Sequence, residues 1–164
     1  VLVGTAATGS TAKEFVSDFY HTTVLTVSTT LPAIAGGANL AVGKLLYTFP
    51  AGVQVVLATY MSLALTQSEG NITADTPDIG IGSVIGSGVE ATLDGTATFE
   101  DMLTGQTAND CNGTAEVACV QTSYVSLVAG SKAVYFNAAD GWAASGDAAC
   151  GLAGTVILKW LQMY

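Results

Sequence analysis

The chain has no arginine, one histidine, three prolines and three cysteines, and its basic side chains are the four lysines Lys13, Lys44, Lys132 and Lys159. Each shortage excludes something. A phosphate backbone is gripped by a basic stripe, usually with arginine forks, and four scattered lysines against 13 Asp and Glu, net charge -9, supply neither. Nucleic acid is therefore not a partner. The same balance argues against adhesion to an anionic membrane surface. With His21 alone, a catalytic triad would have to be built round one imidazole beside Thr22 and Thr23 at a strand start, and its expected role is surface or packing. Cys111, Cys119 and Cys150 make no disulfide framework. Cys111 and Cys119 are near enough to bridge, but Asn112-Gly113 between them signals a two-residue hairpin that would set Cys111 opposite Thr114 instead. The odd count suits free thiols in a reducing cytoplasm.

Charge of either sign is scarce. Charged residues make up 10% of the chain and hydrophobic ones 50%, where an average soluble domain is about 25% charged. Such a chain covers its surface with Thr, Ser, Asn, Gln, Gly and Ala, which suits contact with another protein. At 164 residues it is long enough for one domain with a full core. Residues 31–49 have the length of a membrane span, but Pro32, Gly36, Gly37, Asn39, Gly43 and Lys44 interrupt them, so a turn-rich strand pair is expected and no membrane. The opening VLVGTAATGS lacks the charged flank and apolar block of a signal peptide.

What is present reads as β-structure. Residues 22–28 (TTVLTVS), 45–49, 53–66, 117–127, 132–137 and 155–164 are β-branched or alternating runs, separated by Gly-, Ala- and Thr-rich turns. In 53–66, Leu57, Met61, Leu63 and Leu65 fall on one face and Ala58, Tyr60, Ser62 and Ala64 on the other, the pattern of a central strand. In the last run Val156, Leu158 and Trp160 share the core face, with Ile157 and Lys159 opposite. Thr11-Ala12-Lys13-Glu14 matches a helix capping box, and Phe15/Phe19 and Val16/Tyr20 have helical spacing; an extended arm running into the next strand fits equally well. The expected fold is all-β, a β-sandwich or jelly roll, with residues 1–20 as an N-terminal arm or short helix and 21–164 as the sandwich.

Residues 75–113 are expected to be a long, Gly-rich, acidic loop segment displayed by that scaffold. They contain Asp75, Asp78, Glu90, Asp94, Glu100, Asp101 and Asp110, and no Lys, Arg or His. Gly80-Ile81-Gly82-Ser83-Val84-Ile85-Gly86 has the outline of a dinucleotide loop, with Glu100 downstream, but it follows the polar DTPD and runs into Ser87-Gly88 instead of a helix, so turn glycines and no cofactor are expected. Asp75/Asp78 and Asp110/Asn112 cluster oxygen ligands, yet no stretch fits the twelve-residue calcium loop; a solvated acidic surface is expected, not a metal site. Acid pairs for glycoside cleavage usually come with aromatics and arginines, which these loops lack. Asn71-Ile72-Thr73 and Asn112-Gly113-Thr114 are glycosylation sequons by pattern only. Trp142, in Asp140-Gly141-Trp142, is either a partner-facing anchor or a lid over the sandwich end.

Several runs carry a resemblance. Ala74-Asp75-Thr76-Pro77-Asp78-Ile79-Gly80-Ile81-Gly82, Leu93-Asp94-Gly95-Thr96-Ala97-Thr98-Phe99-Glu100-Asp101, Thr104-Gly105-Gln106-Thr107 and Asp110-Cys111-Asn112-Gly113-Thr114 resemble the capsid decoration (head cement) proteins of tailed marine bacteriophages. Val134-Tyr135-Phe136-Asn137-Ala138-Ala139-Asp140 with Trp142, and Gly154-Thr155-Val156-Ile157-Leu158-Lys159-Trp160, are similar too. The likeness covers residues 49–164 and leaves 1–42 open. It implies a virion protein on the capsid exterior, assembled in the host cytoplasm, that ties neighbouring major capsid protein subunits together, itself a homo-oligomer (dimer or trimer), with no enzymatic activity. Candidate capsid or subunit contacts are the apolar, glycine-flanked Ile79, Ile81, Val84 and Ile85, which are either core or interface, together with Val1, Leu2 and Val3 of the small-residue arm and Trp142. The alternative is a receptor- or carbohydrate-binding sandwich at a fibre tip or secreted, in which Trp142 and Tyr60 would share an exposed surface.

Overall fold

Alternation of small and branched residues makes two antiparallel sheets that pack face to face. The computed structural model describes residues 3–32, 41–67, 77–90, 92–107, 116–121, 125–127, 133–139 and 150–163, with backbone alone at 66–67, 105–107, 116–121 and 125–127. The strands are β1 (Thr5–Ala6), β2 (Ser10–Ser17), β3 (Tyr20–Thr30), β4 (Val42–Thr48), β5 (Val53–Gln67), β6 (Asp78–Gly82), β7 (Leu103–Thr107), β8 (Glu116–Gln121), β9 (Val125–Leu127), β10 (Ala133–Ala139) and β11 (Cys150–Met163). Five form a sheet in the order β1-β4-β10-β6-β7; six form the other, β2-β3-β11-β5-β8 with β9 beside β8 on β5. The protein is an all-β sandwich.

The two long strands β5 and β11 run antiparallel from Cys150 opposite Gln67 to Met163 opposite Val53 and form the centre of the six-stranded sheet. Their inward side chains, with Leu25 and Val27 of β3, meet Leu46 and Tyr47 of β4, Ile79 and Ile81 of β6 and Val134 and Phe136 of β10 in one core. Trp160 lies at its heart as the alternation predicts. Its indole is fully buried, meets the Phe49 ring edge-on at 5.1 Å and donates through Nε1 to Thr23 Oγ1 at 2.9 Å. A buried indole N–H needs such an acceptor.

The face assignment along β5 needs correction. The register jumps from Lys159 opposite Ala58 to Trp160 opposite Val56, which leaves Leu57 without a partner. This bulge reverses the alternation: Gln54 and Val56 point inward before it, and Thr59, Met61, Leu63 and Leu65 after it. Leu57 therefore does not share the face of Met61.

The capping-box helix is also corrected. Ser10–Ser17 is a strand, paired along its whole length with β3 from Ser10 opposite Val27 to Ser17 opposite Tyr20. Asp18 and Phe19 make the two-residue turn, with Asp18 at φ 55°. Asp is among the few non-glycine residues that enter the left-handed region readily. Among the described residues, no helix is long and apolar enough to cross a membrane.

Candidate functional site

Residues 83–102 lie over the outside of the five-stranded sheet, and the glycines explain how. Gly43 of β4 and Gly80 of β6 flank Asn137 of β10 on either side, and Gly82 follows along β6 opposite Tyr135. A Cβ on Gly82 would stand 2.4 Å from the Phe99 carbonyl, one on Gly80 2.8 Å from the Leu103 oxygen, and one on Gly43 2.8 Å from Ile85. The sheet surface is a glycine floor because a plate of chain rests on it. Two short 3-10 turns, Leu93–Gly95 and Ala97–Phe99, shape that plate, and Leu93 and Phe99 pack beneath it with Ala41 and Ala139.

Polar side chains fasten the plate. Asn137 Nδ2 donates to the carbonyls of Val84 (2.9 Å) and Phe99 (2.7 Å), while its Oδ1 accepts from Gly86 N–H at 2.7 Å. Asp101 accepts from the N–H and the hydroxyl of Ser83 at 2.8 and 2.6 Å; burial raises its carboxyl pKa, and these two bonds pull it back down. Asp78 accepts from the Leu93 N–H at 2.8 Å. These carboxylates are therefore structural ties, which corrects their reading as solvated surface. The segment is loop only in part: Asp78–Gly82 is an inner strand held by β10 and β7 and Leu103–Thr107 is paired to it, while the described residues between them are irregular apart from the two 3-10 turns. The dinucleotide outline dissolves in the same way, since Gly80 and Gly82 belong to β6 and no helix follows.

The other outer face, on the six-stranded sheet, is different. By register it presents Thr11, Lys13 and Phe15 of β2, Tyr20, Thr22, Val24 and Thr26 of β3, Thr155, Ile157, Lys159 and Leu161 of β11, and Val53, Val55 and Tyr60 of β5. No Asp or Glu stands on this face of those four strands. Lys13 Nζ lies 5.0 Å from the Phe15 ring centroid and Lys159 Nζ 5.3 Å from that of Tyr60, so each ammonium is held over an aromatic ring. In a chain of net charge -9, a face on which these four strands alternate aliphatic and aromatic residues with threonines, and carry lysines but no acid, is chemically set apart; the acid Glu116 of β8 stands opposite Ala64 at its far edge.

His21 points the opposite way, into the sandwich. It stacks on Trp160 with centroids 3.9 Å apart, and its Nδ1 lies 3.9 Å from Glu14 Oε2. Neither atom has a hydrogen-bond partner among the described residues. Glu14 Oε1 accepts from the Tyr47 hydroxyl, which in turn accepts from Gly4 N–H at 3.0 Å. Burial lowers the His21 pKa against the opposing pull of Glu14, and raises that of Tyr47. This is a packed joint between the N-terminal strands and the core. Cys150 is buried as a free thiol whose pKa burial pushes up to about 11, which makes it unreactive at neutral pH.

Of the candidate contacts, Val3 (54% exposed), Val84 and Ile85 are at the surface. Ile79 and Ile81 are core residues, at 1% and 0%, and are corrected as contacts: they alternate inward from β6 while Gly80 and Gly82 face the plate. Val1, Leu2 and Trp142 lie outside the described residues, as do Cys111 with the Asn112-Gly113 turn, and Asp75, Asp110 and Asn112. Sequence reasoning missed Phe15, Tyr20, Ile157 and Leu161; the signal was the lack of acidic residues at every second position of these strands. Comparison with protein-family models, with curated proteins and with solved structures finds no match.

Proposed function

We propose that the protein is a structural virion subunit that sits on the outside of a phage capsid and presents the outer face of its six-stranded sheet to the major capsid protein. The observation that carries this reading is that face, where aliphatic and aromatic side chains alternate with threonines, no acid stands on β2, β3, β11 or β5, and Lys13 and Lys159 are held over aromatic rings. Isolated exposed hydrophobics are ordinary, but an apolar sheet surface of this extent belongs to an interface. The strand order adds support. Taken in chain order, β3, β4, β5, β6, β7, β8, β10 and β11 are shared between the sheets so that first, eighth, third and sixth lie together, and second, seventh, fourth and fifth. With β1, β2 and β9 set aside, this order supports the jelly-roll reading of the sandwich, an architecture used by viral capsid and lectin domains alike.

The mechanism is mass action. A subunit that binds the expanded shell and not its ruptured form stabilises the shell by its binding free energy, multiplied over many copies. Heads stripped of the protein should rupture at lower temperature than decorated heads, and adding it back should restore the difference. Equal rupture temperatures, or a protein that does not co-purify with heads in fixed stoichiometry, would reject the proposal. The lectin reading keeps one observation in its favour, the partly buried Tyr60 ring on this face; binding to a glycan array in place of heads would select it.

A further inference from the structure

Two clusters of exposed hydrophobic side chains lie apart from the middle of the open face. One is the β2–β3 tip, where Phe15, Val16, Phe19 and Tyr20 are 38% to 61% exposed and a groove of about 520 Å³ runs between Phe19, Tyr20, Leu161, Gln162 and Met163. The Phe19 carbonyl accepts from Gln162 N–H at 3.0 Å, so the groove has a fixed floor. The other is the crest of the plate, where Val84 is 38%, Ile85 44% and Val89 81% exposed.

The clusters sit at opposite ends of the sandwich. Phe49, just past the end of β4, packs on Trp160, which stacks on His21 beside the tip residue Tyr20. The start of β4 holds the crest instead, with Gly43 against Ile85 and Ala41 N–H bonded to Gly88 O. Their charges are complementary. The crest is followed by Glu90 and Asp94, whereas the strands leading to the tip carry Lys13 and Lys159, two residues from Phe15 and Leu161; the acids there are Asp18 in the turn and Glu14, which is turned inward to Tyr47 and His21.

We propose that residues 84–89 of one molecule seat in the tip groove of a second copy, bringing Glu90 and Asp94 towards Lys159 and Lys13. Burying Val89 removes the most exposed large hydrophobic side chain of the described residues from water, and the lysines offset the mutual repulsion of two chains of net charge -9. Because different surfaces meet, the contact is heterologous and each dimer retains one free crest and one free tip. The contact needs no shell and goes beyond the shell-docking proposal, so either can fail without the other.

Mixing two variants tests it. Val89→Asp disables the crest and leaves the tip; Tyr20→Asp disables the tip and leaves the crest. Sedimentation velocity of the full chain should show wild type associating further as concentration rises and each variant alone staying monomeric. An equal mixture of the two should form a 1:1 dimer and stop there. Wild type that remains monomeric, a Val89→Asp chain that still self-associates, or a mixture that stays monomeric would each overturn the proposal. Circular dichroism melts check folding, and Ile85→Asp replaces either variant's role at the crest, with Met163→Asp at the tip, if a first choice unfolds.

Discussion

Asn137 places both amide protons and its carbonyl oxygen on one task, holding the plate to the sheet at Val84, Gly86 and Phe99. The glycines beneath it do the complementary task of leaving room. Gly82→Ala would drive a Cβ to 2.4 Å from backbone atoms of Thr98 and Phe99, which cannot rotate away. Its predicted cost is about 3 kcal/mol, the upper range for overpacking. Gly88 is a control of another kind, since it has φ +88° and a Cβ added there would meet nothing within 4 Å, so Gly88→Ala should cost about 1 kcal/mol for the backbone alone. Urea denaturation of both variants checks the contrast; equal losses would mean that the plate does not bear on the sheet.

His21 gives the residue scale a pH dependence. Burial holds its pKa below the ordinary 6.5, so the unfolded chain takes up this proton first as pH falls. Stability should therefore be unaffected by His21 above that value and decline as pH drops beneath it. His21→Phe keeps a ring against Trp160 and removes the titration; between about pH 7 and 5 its stability should fall less steeply than that of wild type. Parallel denaturation curves across that range would show that His21 takes up its proton as readily in the fold as out of it.

At the scale of the element, the N-terminal hairpin shows where local pattern is outweighed. Thr11 to Glu14 carries a good capping box, worth a few tenths of a kcal/mol to about 1, but pairing β2 with β3 sets eight residues in register and hydrogen-bonds every second one across the ladder. The turn that permits it rests on Asp18. Asp18→Val should cost about 1–2 kcal/mol, because a β-branched residue resists positive φ, whereas Asp18→Gly should be close to neutral. Thermal melts of the two variants test this, and indistinguishable melts would remove the turn from the account. The long strands were legible because their alternation is local: the faces of β11, with Val156, Leu158 and Trp160 inward, follow from sequence alone. The bulge at Leu57 was not, since it depends on a register with β11 some hundred residues away. The plate was hidden for a similar reason. Gly80 and Gly82 look like turn glycines until residues 93–103 are laid over them, and that close approach is a tertiary fact. Ile79 and Ile81 offered core or interface as equal readings, and only the placement of β6 between β10 and β7 decides for core.

For the whole molecule, the sandwich has two unlike sides. One sheet is roofed by its own chain, with Asp78 and Asp101 turned to fastening it; the other presents a face of aliphatic, aromatic and threonine side chains where Lys13 and Lys159 are the charges on β2, β3, β11 and β5. The function proposed here depends on the second side. Docking on a shell would bury Lys13 and Lys159 together, while Lys44 on β4 belongs to the opposite sheet. Amine acetylation of decorated heads, read by mass spectrometry against the free protein, measures this directly. Lys13 and Lys159 are expected to be modified in the free protein at a dilution where it is monomeric and protected on the head, with Lys44 unchanged between the two. Equal modification of Lys13 and Lys159 in both states, or protection of Lys44 in their place, would contradict it.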